Sequence, residues 1–245
     1  MSEKIQLMVV DLSHYETGTD YQSLADGGII GVIYKATQGA GYQDPTYASA
    51  KKQALKAGLL WGSYHFGDGS NVMDQVNNYI ATVQPDPSEL ICLDFEDNGN
   101  NTMSLDQAQQ FVQMVESNLG RPNEIVLYSG NLIKEDLGER VSPYWSDRRL
   151  WLAQYGTSPS VQNSWDTYWL WQYTDGDVGP TPHTAPGIQG TCDCNSYAGP
   201  PGQLIDEWAS GQADGPVPPP QPEELTVTVL IPDGVAVIVK RIGLT

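Results

Sequence analysis

Eight short runs of apolar, β-branched and aromatic residues recur between residues 6 and 195, and helical periodicity fills several of the gaps between them. The runs occupy 6–11 (QLMVVD), 30–35 (IGVIYK), 59–65 (LLWGSYH), 90–96 (LICLDFE), 124–128 (EIVLY), 149–154 (RLWLAQ), 168–173 (YWLWQY) and 191–195 (TCDCN). Short strands alternating with helical stretches are the pattern of an α/β domain with a largely parallel sheet. A set of eight predicts closure into a barrel.

Helices are expected over 45–57, which opens with Pro45 and stops before Gly58, and over 104–119, where Ser104 is an N-cap and Gly120 ends the helix. Between them, Val72, Val76, Tyr79, Ile80 and Val83 fall at helical spacing over 71–83. Later strands are joined by weaker helical signals, as in DGDVGPTPHTAPGIQG over 175–190. The expected fold is therefore an irregular TIM-like barrel, with eight mostly parallel strands and fewer than eight helices. Past Trp208 the composition turns to GQADGPVPPPQPEE, an extended polyproline spacer. This divides the chain into a barrel (1–211), a Pro-rich linker (212–224) and a tail (225–245). In the tail, LTVTVLI and VAVIVKRI flank Pro232-Asp233-Gly234 and read as a β-hairpin. A lone hairpin is marginal in water, so the tail is expected to dock on the barrel or to drive self-association.

The chemistry-bearing residues lie in the fourth run. Side chains alternate along a strand, so Asp94 and Glu96 share one face and Leu93 and Phe95 the other. With the apolar pair against the helices, both carboxylates point into the barrel at the strand's C-terminal end, where barrel enzymes keep their active sites. Asp11 closes the first strand and Asp193 lies in the last, so four carboxyls are expected to ring one mouth. Crowded like charges cannot all ionise freely, and the one that keeps its proton can serve as a general acid. Such a cluster also suits a hard cation such as Ca²⁺ or Mg²⁺, but no ligand-loop motif accompanies it, and neither a metal nor a cofactor is expected.

Several short motifs recur in order: Val10-Asp11-Leu12-Ser13-His14-Tyr15, Tyr34-Lys35-Ala36-Thr37-Gln38-Gly39, Gly62-Ser63-Tyr64-His65-Phe66, Asp94-Phe95-Glu96, Leu127-Tyr128-Ser129, Trp151-Leu152-Ala153-Gln154-Tyr155, Trp171-Gln172-Tyr173 and Asp193-Cys194-Asn195. Together they resemble the family 25 glycoside hydrolases, the Chalaropsis-type lysozymes, over residues 7 to about 208. The resemblance implies a flattened eight-stranded α/β barrel that hydrolyses the β-1,4 bond between N-acetylmuramic acid and N-acetylglucosamine. It implies Glu96 as general acid, Asp94 as its partner, and Asp11 and Asp193 as supporting acids. Tyr64, Tyr128 and Trp171 are expected to line the sugar cleft, and Lys35 and His65 to contact substrate from its wall. By similarity to other Asp-x-Glu enzymes, the substrate's own 2-acetamido oxygen is the expected nucleophile. The sequence departs from the family at Gln38, where Glu is frequent, and at Cys194, where an aliphatic residue is common.

The formal charge of −18, from 30 acidic and 12 basic side chains, repels phosphate backbones and anionic lipid, which argues against nucleic acid or membrane insertion. The expected partner is bacterial peptidoglycan, met through neutral sugar faces. Seven Trp and thirteen Tyr against three Phe suit that contact, since their rings stack while their polar tips hydrogen-bond. The opening MSEKIQLMVVDLSH reads as neither a signal peptide nor a membrane span. Cytoplasmic synthesis is expected, with action on the cell wall after release, as for a bacteriophage endolysin. Cys92, Cys192 and Cys194 have no zinc-like spacing and are expected as free thiols, Cys92 facing inward and the other two outward, with i and i+2 sulfurs splayed too far apart to bond. Competing readings are a chitinase-like endo-hydrolase of N-acetylated glycans and a non-catalytic glycan-binding or virion component. A pure binder needs no proton donor, so the acid pair disfavours the last.

Overall fold

The computed structural model describes residues 5–209, together with the strand segments 227–230 and 236–239. Eight strands close the barrel: β1 (Val9–Leu12), β2 (Gly31–Gln38), β4 (Leu60–Phe66), β5 (Leu90–Asp94), β6 (Val126–Ser129), β7 (Leu150–Ala153), β8 (Leu170–Thr174) and β9 (Asp193–Tyr197). A two-residue strand, β3 (Tyr42–Gln43), folds back antiparallel on the end of β2. Around the barrel the order is β1, β2, β4, β5, β6, β7, β8, β9, closed by the β9–β1 pairing. Neighbours from β1 to β8 are parallel, whereas β9 runs antiparallel to both of its own. The reversal follows from the chain's return after β8 without a crossover helix, which a parallel strand requires.

Seven helices are present among the described residues: α1 (Tyr21–Asp26), α2 (Tyr47–Lys56), α3 (Val72–Val83), α4 (Leu105–Leu119), α5 (Asn131–Leu137), α6 (Pro143–Ser146) and α7 (Pro201–Glu207). The three longest are those expected from periodicity, and their termini carry the matching signals. Ser104 and Gln107 form a reciprocal capping box at the start of α4, and Gly120 ends it at φ 65°, a left-handed conformation suited to glycine. Asn71 caps α3 by accepting from the Asp74 backbone N–H. The second half of the barrel carries only short helices, as the weak signals there suggested.

Strand parity divides the core in two. Outward side chains such as Val10, Leu93, Phe95 and Leu127 pack with Tyr79, Phe111 and Val115 of the helices. Inward side chains such as Val9, Ile33, Leu90, Cys92 and Val126 fill the barrel and meet Leu204 and Trp208 at its floor. Trp208 is fully buried, donates to the Trp61 carbonyl at 2.8 Å, and lies so close to Gly31 that a Cβ there would sit 2.5 Å from the ring. Loss of such a buried ring costs ~3–5 kcal/mol, so this plug fixes the floor beneath the site.

All three cysteines are free and buried, with Cys92 inside the barrel and the other two outside it, as parity dictates. The sulfurs of Cys192 and Cys194 are nevertheless 3.7 Å apart, closer than the splay expected of strand neighbours, because Cys192 lies just before β9 begins. In the tail, β10 (Val227–Leu230) and β11 (Ala236–Val239) pair antiparallel, with Val227 opposite Val239. The expected linker, 212–224, lies outside the described residues.

Candidate active site

At the C-terminal end of the parallel strands a pocket of about 200 Å³ opens, walled by Tyr64, Tyr128 and Trp151 and carrying Asp11, Asp94, Glu96 and Asp193. Each acid reaches it by strand parity. Asp94 is the last residue of β5, and Glu96 follows two residues on, after Phe95 has bonded its N–H to the Tyr128 carbonyl at 2.9 Å. Asp11 comes from β1. Asp193 reaches the same rim because β9 is reversed, so that its first residue stands at the mouth, paired in register with Asp11.

The two pairs have different environments. Asp11 accepts from the Gln172 side-chain amide at 3.1 and 3.0 Å and from that of Asn195 at 2.7 Å. Those amides are themselves held, Gln172 by the Tyr128 hydroxyl at 2.8 Å and Asn195 by the Trp151 indole N–H at 2.6 Å. Burial pushes the Asp11 carboxyl up, and the bonds from Asn195 and Gln172 pull it back to about 6. Burial and then the Asp11 charge push Asp193 up to about 10, well above Asp11.

Asp94 has no such support. Its Oδ1 is buried without a hydrogen-bond partner among the described residues. Burial first, and then the Glu96 charge, hold its carboxyl well above the usual range. Burial and the Asp11 charge also raise Glu96. Lys35 is the cation of the pocket; its ammonium donates to Gln38 Oε1 at 2.7 Å and lies 4.9 Å from the centre of the Phe66 ring. Burial lowers its pKa, opposed by the charges of Asp94, Asp44 and Glu96. Among the described residues, no group of three or more His, Cys, Asp and Glu side chains is arranged to hold a metal ion.

Seven of the nine sequence-predicted residues line the pocket: Asp11, Lys35, Tyr64, Asp94, Glu96, Tyr128 and Asp193. Trp171 and His65 do not. Gln172 points inward to Asp11, so its neighbour Trp171 points outward, into the outer core, donating to the Gln154 carbonyl at 2.7 Å. Tyr64 likewise faces inward and His65 outward. His65 stacks on Phe111 at 4.6 Å, and its ring nitrogens meet Thr37 Oγ1 at 2.7 Å and Gln75 Oε1 at 3.0 Å. Burial lowers its pKa to about 4, leaving it a neutral wall residue near pH 7. Trp151, Gln172 and Asn195 were missed as site residues. The signal was present, since Asn195 follows Asp193 by two positions on one strand face.

A carboxyl raised by burial beside a second acid, in a pocket walled by tyrosine and tryptophan, meets the needs of glycosidic bond hydrolysis. Fold and site thus define an irregular α/β barrel with an acid-lined pocket at its mouth. The family profile described as Glycosyl hydrolases family 25 matches residues 10–180, and the chain belongs to that family. It is 27% identical over 194 residues to the autolytic lysozyme of Clostridium acetobutylicum, a match covering 77% of this chain and 55% of the relative. The chain thus spans about half that relative's length. A muramidase structure from Trichobolus zukalii superposes with a TM-score of 0.70 at 25% identity, covering 84% of this chain and all of the other. A bacterial lysozyme structure from Streptomyces coelicolor gives a TM-score of 0.73 at 21% identity, covering 84% and 99%; that likeness concerns the fold.

Proposed function

We propose that the protein is a peptidoglycan hydrolase that cleaves the β-1,4 bond between N-acetylmuramic acid and N-acetylglucosamine. The observation that carries the proposal is the pairing of Glu96 with an Asp94 whose buried oxygen lacks a donor. Glu96 donates its proton to the glycosidic oxygen, without which that oxygen is a poor leaving group. Asp94 Oδ1 accepts the N–H of the substrate's 2-acetamido group. That bond supplies the missing donor, favours the ionised form of Asp94, and turns the acetamido oxygen toward the anomeric carbon. The oxygen attacks as the leaving sugar departs with the proton, and an oxazolinium ion forms whose positive charge Asp94 balances. Water then attacks the anomeric carbon while Glu96, now a carboxylate, takes its proton. Two displacements give retention of configuration.

Family membership and likeness to a lysozyme and a muramidase support this reading. The bacterial wall is then the place of action. Digestion of purified peptidoglycan with identification of the new reducing end is the test. N-acetylmuramic acid is expected there; N-acetylglucosamine in its place would overturn the bond assignment, and no cleavage would overturn the activity.

A further inference from the structure

Three aromatic side chains are exposed among the described residues, and all three stand around the mouth. Tyr15, 79% exposed, follows β1; Tyr42, 39% exposed, lies on β3 at the end of β2; Tyr155, 41% exposed, follows β7. In the closed order of the barrel, β7 lies diametrically across from β2. The exposed aromatics therefore occupy opposite rims, with Asp94 at the end of β5 and Glu96 just beyond it between them.

These rings are braced. The Tyr15 N–H donates to Ser13 Oγ at 3.3 Å, and the Ser13 N–H to Glu16 Oε2 at 2.8 Å. The Tyr15 ring packs on His14 at 4.1 Å, and His14 is held by Asp44 at 2.9 Å and by the Tyr42 hydroxyl at 3.2 Å. On the far rim, the N–H groups flanking Tyr155, those of Gln154 and Gly156, bond to β8 carbonyls of Gln172 and Tyr173 at 3.2 and 3.3 Å. An aromatic ring held in water on ordered backbone presents a large contact area at little entropic cost. The pocket between the rims, at about 200 Å³, falls below the ~300–1,000 Å³ usual for small-molecule sites. A polymeric glycan must therefore lie mostly on the rim.

We propose that the glycan strand crosses the mouth along the β2–β7 diameter, stacking sugar rings on Tyr15 and Tyr42 at one rim and on Tyr155 at the other, with the scissile bond over Asp94 and Glu96. This rests on the peptidoglycan reading above and adds the strand's direction and its contacts beyond the cleaved pair. Cleavage is then internal to the strand, and efficiency rises with strand length until both rims are engaged.

The test uses peptide-free wall glycan strands of graded length on the full chain. Wild-type kcat/KM is expected to rise with length. Tyr15→Ala and Tyr155→Ala should each raise KM on long strands about five- to tenfold, with a smaller change in kcat. The double substitution should flatten the length dependence, and Tyr15→Trp should restore it. Calorimetric binding of the same strands to the Glu96→Gln protein repeats the comparison without turnover. Wild-type cleavage that is independent of length, or alanine variants that keep the wild-type length dependence, would overturn the rim contacts while leaving the function intact. A wild-type chain that neither cleaves nor binds these strands would overturn both.

Discussion

Asp11 and Asp193 face each other across two antiparallel strands, and three bonds from buried amides converge on Asp11; Asp94 shares a single strand face with Glu96 and keeps one buried oxygen bare. Both pairs are desolvated, and burial raises all four carboxyls. What separates them is the supply of donors. At the β1–β9 seam, Gln172 and Asn195 donate to Asp11 and favour its anion, while burial and the Asp11 charge favour a protonated Asp193. On the β5 side the described residues supply no donor to Asp94 Oδ1, and on the proposed mechanism the substrate sets the charge state there. One half of the mouth has its donors within the fold, and the other leaves an acceptor that the proposed acetamido contact would fill.

The largest expected effect is on the β5 side. On the proposed mechanism Glu96→Gln removes the proton donor and should lower kcat by ~10²–10⁴, with glycan binding largely kept. Asp94→Asn keeps an acceptor oxygen for the acetamido N–H but not the charge that balances the oxazolinium ion, so its loss should be smaller, ~10- to 10²-fold. Steady-state kinetics and binding isotherms on both variants check the order. If Glu96→Gln kept more than about a tenth of the wild-type rate, the acid would have to lie elsewhere.

A smaller effect is expected at the β1–β9 seam. Asn195→Leu removes the 2.7 Å bond to Asp11 and the acceptor of the Trp151 indole. With less to favour its anion, Asp11 takes up a proton more readily. The Asp11 charge raises Glu96, and Lys35, Asp94, Asp97 and Tyr128 also act on the pair. With less negative charge nearby, Glu96 ionises at lower pH, so the alkaline limb of kcat/KM should move down, with about a tenfold loss at neutral pH. A uniform loss at every pH would mean that Asn195 only supports the fold.

Much of this was legible because period-two alternation is a hard geometric rule. Asp94 and Glu96 opposite Leu93 and Phe95, Cys92 within and Cys192 and Cys194 without, all follow from it. The same rule, applied to strand eight, would have turned Trp171 outward, since Gln172 faces the interior beside Asp11; the motif resemblance pointed the other way. The reversal of β9 left no mark in its five residues, because apolar alternation reads alike in either direction. It became visible only through pairing, and it is what lets Asp193 meet Asp11. The bare oxygen of Asp94 is likewise a property of packing, with no trace in residue order.

The last and smallest effect tests where the seam keeps its proton. The Asp193 carboxyl is raised from the ordinary 3.8 to about 10 by burial and by the Asp11 charge. The unfolded chain therefore releases this proton near pH 4, while the folded chain holds it until about 10. Across that window the native state binds more protons, so the stability Asp193 contributes is complete below the lower value and is lost as pH rises toward the upper one. Asp193→Asn puts a neutral group of similar shape in its place, whose amide can still donate to Asp11. Thermal unfolding should give the variant a Tm several degrees above wild type at about pH 8–9, with the gap closing toward about pH 4. Parallel Tm curves across that range would show that the proton is not held on Asp193, and the two carboxylate pairs would then differ in geometry but not in charge.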